Sequence, residues 1–270
     1  MTGRLAGSVE TVSGVLRSFF VAERVAARDG FLQSRDPRAV VVSVVALATA
    51  AVTTRSLAVI AALAALTAVL AWRSSVPPRR LLARSAVVPL ASASVVLPQA
   101  VLLPGDPVAT AFGLTVTGAG VTYVTVFTLR VAVGVALLSL LVLTTPFPAV
   151  VAALRDLRVP VAVVWVLSVT YRYLFLFFDE LRRLIVARNG RTTGTGSVRE
   201  GWRDARRLAG TFLLRVLDRS ERVGRGMRAR GGGSAPTPYG RRRSTDAGDR
   251  ALLAVSLAAV VVSGVVRWLP

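Results

Sequence analysis

Arginine is the residue type in this chain whose placement could do specific chemistry. Gly190-Arg191-Thr192 and Ala229-Arg230-Gly231 each place an arginine between small residues, where a helical pattern ends. A helix C-terminus favours a cation, small neighbours let another protein approach closely, and a guanidinium can hold a carboxylate through two hydrogen bonds. Both motifs are therefore candidate contact points for a partner protein. The alternative is two ordinary helix ends in an arginine-rich region.

Other kinds of chemistry are excluded by composition. The 270 residues contain no histidine and no cysteine, and all 34 basic residues are arginine. A disulfide framework, a usual zinc site and a histidine general base are therefore ruled out. A Walker A pattern is also absent, so we expect neither ATP hydrolysis nor a bound cofactor in this chain.

The elements that carry these arginines belong to an all-α polytopic membrane protein. Hydrophobic residues make up 53% of the chain and are concentrated in long runs. Asp36-Pro37 is a typical helix start, and the first run divides at Thr53-Thr54-Arg55-Ser56 because 34 residues are too long for one span. The predicted apolar runs are 39–72 in two parts, 86–103, 121–143, 161–178 and 252–266.

Charge gives the orientation. Residues 179–250 hold 18 arginines against 8 acidic residues, which predicts a cytoplasmic location, whereas 105–120 holds one charge and is expected outside. With the N-terminus inside, four spans return the chain to the cytoplasm near Thr145. We therefore predict that 161–178 does not cross and that 252–266 is a fifth span. Six spans would require one earlier helix to be misassigned.

This count divides the chain into a cytoplasmic tail (1–35), a four-span membrane domain (36–145), a cytoplasmic coupling domain (146–250) and a C-terminal span (251–270). Two amphipathic helices are predicted in the coupling domain. One runs from Thr145, its cap, to Leu157, and the other covers 199–227 before a glycine run. Residues 12–25 could form a surface helix or a solvated tail. The apolar positions expected on the two coupling helices are Val150, Val151, Leu154 and Leu157, and Trp202, Ala205, Ala209, Phe212, Val216, Val223 and Met227.

An ordered set of short motifs between Leu32 and Gly233 resembles the transmembrane T component of energy-coupling factor (ECF) transporters, the CbiQ/EcfT family. No single motif is specific, but their order is. The set is Asp36-Pro37-Arg38, Gly105-Asp106-Pro107, Thr144-Thr145-Pro146, Leu157-Arg158-Val159-Pro160, Thr170-Tyr171-Arg172-Tyr173, Asp179-Glu180-Leu181-Arg182-Arg183 and Met227-Arg228-Ala229-Arg230-Gly231.

The resemblance implies a scaffold that couples two ATP-binding cassette ATPase subunits to a separate substrate-binding membrane protein, the S component. In that family two Ala-Arg-Gly-like motifs dock into the ATPases. The second motif is matched unchanged at Arg230, whereas Gly-Arg-Thr replaces Ala-Arg-Gly/Ser at Arg191, and Arg188 is the alternative for the first contact. The resemblance is greatest to the cobalt and nickel branch, which implies a multi-pass protein of the cell membrane with lipid around it.

Three other functions remain open from sequence. Vitamin importers use the same T architecture. A conventional permease would use Arg55, Arg130 and Arg172 as intramembrane charges, since such residues are functional candidates by default. A membrane-anchored nucleic-acid binder would use the basic charge of 179–250, but the expected amphipathic helices argue against a nucleic-acid partner.

Overall fold

Helices form almost all of the structure, as the predicted all-α membrane fold requires. The computed structural model describes residues 30–111, 114–189, 198–231 and 246–268. The helix proposed at 12–25 lies outside them. The described residues divide into two compact units, one of 30–157 with 246–268 and one of 158–231.

The first unit contains eight helices and one β-hairpin in the described residues. In chain order these elements are α1 (Pro37–Thr53), α2 (Leu57–Arg73), α3 (Pro78–Ser85), α4 (Val87–Val96), α5 (Gln99–Leu102), β1 (Pro107–Ala111), β2 (Leu114–Thr117), α6 (Gly118–Thr144), α7 (Phe147–Asp156) and, after the second unit, α10 (Ala247–Trp268). The strands pair antiparallel, with Ala111 opposite Leu114.

The predicted start and division of the first apolar run are confirmed. The Asp36 carboxylate accepts a hydrogen bond from the Arg38 N–H at 2.9 Å, and Pro37 occupies the first turn of α1. The chain leaves the helix at Thr54-Arg55-Ser56 before α2 begins. Each helix has 17 residues and is about 26 Å long, close to the thickness of a bilayer core.

Three expectations for this unit need correction. The run 86–103 is two helices rather than one, because Pro98 follows the end of α4 and precedes α5. The external loop contains the β-hairpin, and α3 was not predicted at all. The predicted cap of α7 is also wrong, since Pro146 precedes α7 without a side-chain cap and Thr145 instead terminates α6.

Helix α1 packs against α2, α6, α7 and α10. Its contact with α10 carries small polar side chains, a common means of close helix approach in membranes. Ser43 and Ser256 lie 3.4 Å apart through their hydroxyl oxygens, and Thr53 and Ser263 lie 3.2 Å apart. Because the residue numbers rise together along the two helices in these contacts, α1 and α10 run parallel. The buried core includes Val40, Val44, Leu47, Ile60, Leu63, Val133, Leu137, Leu140 and Leu252.

The start of α1 marks the end of the unit where several segments meet. The Phe31 N–H donates to the Arg73 carbonyl at 3.1 Å, and the Asp36 N–H donates to the buried Asp249 carboxylate at 3.2 Å. Arg38 forms an ion pair with Asp156. The chain therefore leaves this unit after Asp156 and returns at Asp246 at the same end, which requires an even number of crossings between them.

The second unit contains α8 (Val161–Asn189) and α9 (Val198–Ala229). The sequence analysis ended the apolar run at Phe178, but α8 continues to Asn189 because no glycine or proline interrupts it. By length and composition, α6, α8 and α10 could each cross a membrane. Whether 161–178 stays on the cytoplasmic side remains a prediction.

Candidate functional site

The two helices that carry the arginine motifs form an antiparallel pair. The Arg219 guanidinium lies 5.8 Å from the Tyr173 ring centre, and the Phe177 and Phe212 rings meet edge to face at 6.3 Å. Further along α8, Arg188 forms an ion pair with Asp204 at 2.8 Å. In these three contacts, the residue number on α9 falls as the residue number on α8 rises, so the helices run antiparallel. An ion pair between Glu180 and Arg215 lies within this series.

The predicted helix 199–227 is confirmed, and its packed face is partly as expected. Phe212, Val216, Val223 and Met227 are partly buried in this unit. Trp202 is 73% exposed, and Ala205 and Ala209 are also exposed, so they lie off that face. Leu208 takes part in it instead. The packed positions of α9 recur with a period slightly above 3.6 residues, at 204, 208, 212, 216, 219, 223 and 227. The sequence spacing alone did not distinguish this row from the neighbouring rows of the helix.

The second arginine motif closes α9. Ala229 is the last helical residue, and the N–H groups of Arg230 and Gly231 donate to the carbonyls of Met227 and Arg228 at 3.2 Å each. Gly231 has a φ of +84°, the left-handed conformation in which glycine usually terminates a helix. Arg230 is exposed, and no ion pair holds its guanidinium among the described residues. A basic, solvent-facing tip results.

The first motif, Gly190-Arg191-Thr192, lies outside the described residues. Its alternative, Arg188, is described, and its side chain is 22% exposed. Because Asp204 of α9 already holds the Arg188 guanidinium, Arg188 serves to join the two helices. Which of Arg191 and Arg188 makes the first contact stays a prediction.

Both helices leave broad apolar surface uncovered by the described residues of their own unit. On α9, Leu213, Leu214 and Leu217 are at least half exposed, on a side that does not face α8. Only 6% of the most apolar 18-residue stretch of α8 is buried. Soluble surfaces seldom leave contiguous apolar area of this kind, so these faces are suited to lipid or to another protein.

Two of the three arginines of the alternative permease, Arg55 and Arg130, lie close to the end of α1. Arg55 is exposed in the turn between α1 and α2, and Arg172 is exposed on α8. Arg130 of α6 is partly buried and donates to the Thr54 carbonyl at 2.6 Å, so it caps the end of α1. The described residues also contain no group of three or more His, Cys, Asp or Glu side chains that could hold a metal ion.

Comparison with known proteins gives this architecture a family. The model of the family described as cobalt transport protein, CbiQ, matches residues 30–239. This chain belongs to the CbiQ family. An uncharacterised protein of Methanocaldococcus jannaschii is 25% identical to this CbiQ protein over 230 residues, covering 83% of this chain and 79% of the relative.

A second relative carries a functional name. The cobalt transport protein CbiQ of Rhodobacter capsulatus is 31% identical over 87 residues, which are 32% of this chain and 35% of that protein. Family membership identifies this CbiQ protein as a membrane component of a cobalt transporter. It belongs to a transport family rather than to an enzyme family.

Proposed function

We propose that this chain is the transmembrane coupling component of an ECF-type importer for cobalt or nickel. In this proposal two ATPase subunits close on ATP, and α8 and α9 carry that movement to a separate substrate-binding membrane subunit. The cytoplasmic side contains the start of α1 and the N-terminus. Family membership supports the transport role, and the end of α9 supports the coupling role.

The geometry at Arg230 is the observation that carries the proposal. An arginine exposed on a glycine-terminated turn can enter a cleft of another protein without rearrangement of α9. Among the described residues, no carboxylate forms an ion pair with the Arg230 guanidinium. No such contact therefore has to be broken before a partner binds. The planar guanidinium can then hold a carboxylate of the partner through two hydrogen bonds.

The spacing of the two motifs supports a pair of ATPase subunits. Arg191 precedes α9, and Arg230 follows its last residue. Because α9 contains 32 residues, these ends lie about 48 Å apart along the helix. Motifs that precede and follow a helix of this length in the sequence suit contacts with two partner subunits.

The uncovered apolar faces of α8 and α9 suit the substrate-binding subunit. That protein is itself expected to lie in the membrane, so an apolar contact surface matches it. Asp156 and Asp246 lie at the same end of the first unit, and this supports a cytoplasmic location for the whole segment between them. A crossing by α8 would require a second crossing by α9, whose many arginines oppose insertion.

The direct experiment compares Arg230→Glu with Arg228→Glu. Both arginines are exposed and both changes reverse one charge, but Arg228 lies within α9. The chain would be co-expressed with the ATPase and substrate-binding subunits encoded in its own genome and purified from membranes. Arg230→Glu should lower ATPase retention by about 30-fold, the effect of losing a contact of about 2 kcal/mol, and should abolish Co²⁺ uptake.

Arg228→Glu should retain the ATPases at a level near that of the unaltered chain. Equal retention by Arg230→Glu would remove the coupling role. Co²⁺ or Ni²⁺ uptake into liposomes by the purified chain alone would instead support the permease, and vitamin uptake by the complete complex would identify a different branch.

A further inference from the structure

The chain between Asp156 and Asp246 contains the second unit, here called the coupling unit. Contacts with residues at the start of α1 hold both ends of this segment. We propose that this arrangement, here termed the α1 clamp, transmits the movement of the coupling unit to the membrane helices. The clamp consists of Arg35, Asp36, Arg38, Asp156, Asp246 and Asp249. This inference rests on the proposed coupling function and assigns positioning roles that the arginine motifs do not explain.

The departing end of the segment is held by Arg38. Its guanidinium pairs with Asp156, the last residue of α7, directly before the chain leaves the unit. The side chains of Arg38 and Asp156 are 31% and 25% exposed, so both are substantially shielded from water. Arg38 also lies 3.9 Å from Asp36 through its Nε atom. A displacement of residue 157 or beyond must therefore pull on the first turn of α1.

The returning end is held by two aspartates. Asp249 is 2% exposed and accepts hydrogen bonds through both of its carboxylate oxygens, from the Asp36 N–H at 3.2 Å and from the Asp246 N–H at 2.9 Å. One carboxylate thus joins the beginnings of α1 and α10. Asp246 is joined to Arg35 by an ion pair of 3.2 Å.

Both fastenings lie within four residues, from Arg35 to Arg38. Since α1 packs against α2, α6, α7 and α10, a force applied there reaches these four helices directly. A glycine supports the same contact, because a Cβ at Gly248 would lie 2.0 Å from the Arg35 Nη1 atom that binds Asp246. Apolar side chains at these positions could hold the helices together equally well. We therefore attribute the concentration of charged residues to a role beyond cohesion.

Charge exchange at the departing end provides the test. Arg38→Asp and Asp156→Arg each break the ion pair, and the double variant restores it in the opposite sense. Arg79→Asp is the control, because Arg79 is an exposed arginine at the start of α3 and undergoes the same change of charge. Each variant is incorporated in the complete transporter in proteoliposomes, where Co²⁺ uptake and ATP hydrolysis are measured together.

Each single variant should lower the number of Co²⁺ ions moved per ATP by about five- to tenfold, the lower part of the usual range for coupling between sites, while hydrolysis continues. The double variant should recover most of that ratio, and Arg79→Asp should keep it. Gly248→Ala keeps every charge and displaces only the Arg35 contact, so it should lower the ratio in a chain that still folds.

Unchanged ratios in the single variants and in Gly248→Ala would overturn the clamp. A proportional loss of uptake and hydrolysis, or a double variant without recovery, would show only structural cohesion and would also overturn it. Failure of the proposed function is distinct: uptake by the unaltered complex would then not depend on the ATPase subunits at all.

Discussion

At the scale of single residues, Arg230 owes its exposure to the residue that follows it. Gly231 turns the chain out of α9 with a positive φ, which an L-amino acid with a side chain adopts only at a cost. The turn is held by just two hydrogen bonds of the helix end. The identity of residue 231 therefore sets the direction in which Arg230 is presented.

Replacing Gly231 by alanine should loosen this turn. We expect the left-handed conformation to become about 1–2 kcal/mol less favourable, so the amides of Arg230 and Gly231→Ala should exchange hydrogen roughly tenfold faster. Hydrogen exchange followed by mass spectrometry measures this in the purified protein. Gly226→Ala is the control, since Gly226 lies inside α9 with open space around its Cα. Equal exchange in both variants would contradict the role of the turn.

Residues whose role is local could be predicted from sequence, and residues whose partner is distant could not. Asp36 and Pro37 define a helix start through contacts within three positions, and the structure agrees. Asp249 has the same residue type as Asp36, but its partner lies 213 positions away. No spacing rule connects the two, so the α1 clamp was invisible until the fold brought them together.

At the scale of elements, the close approach of α5 to α6 depends on one position. A Cβ added at Gly120 would lie 2.7 Å from the backbone of Ala100 and Gln99, which cannot move aside as a flexible side chain would. Thr117 reinforces the junction by donating to the Leu103 carbonyl at 2.8 Å and capping Gly120. The N-terminal end of α6 is thus fixed against α5.

Gly120→Ala should force these two helices apart. We expect a loss of about 1–3 kcal/mol in the free energy of unfolding, as for other overpacked contacts, and a lower midpoint of thermal unfolding in detergent. Gly134→Ala on the same helix has no atom within 4 Å of the added Cβ and should be neutral. An unchanged midpoint for Gly120→Ala would contradict the predicted clash.

Long apolar elements were the easiest to predict, because hydrophobic runs and helix-start residues coincide in them. The short α3 escaped prediction since eight residues with three arginines resemble a loop. The β-hairpin was missed for a related reason: its strands contain only five and four residues. At α8 the sequence indicated a boundary where the structure has none. The residues change from apolar to charged at Asp179, but the helix continues.

At the scale of the whole molecule, orientation follows from the shared end of the first unit. The segment between Asp156 and Asp246 leaves and returns on one side, and positive charge favours the cytoplasm for it. The proposed orientation therefore predicts that the β-hairpin between α5 and α6 lies outside. This arrangement can be examined directly because the chain contains no cysteine.

A cysteine introduced at Arg203 should be reached by a membrane-impermeant maleimide only after the cells are permeabilised. Asp106→Cys, in the loop before the β-hairpin, should react in intact cells. Both parent residues are exposed, so accessibility within the protein does not limit either reaction. The unaltered chain provides the blank. Labelling of position 203 in intact cells would show that α8 crosses the membrane.

The parallel contact between α1 and α10 also has a consequence for biosynthesis. Ser43 meets Ser256 only after 213 further residues have been made. At the usual speed of a ribosome, about 5–20 residues per second, this delay is roughly 10–40 s. During that interval the newly inserted first helix has no partner for its hydroxyl-bearing face. Completion of the membrane unit must therefore wait until α10 is synthesised, by which time the coupling segment has already been made.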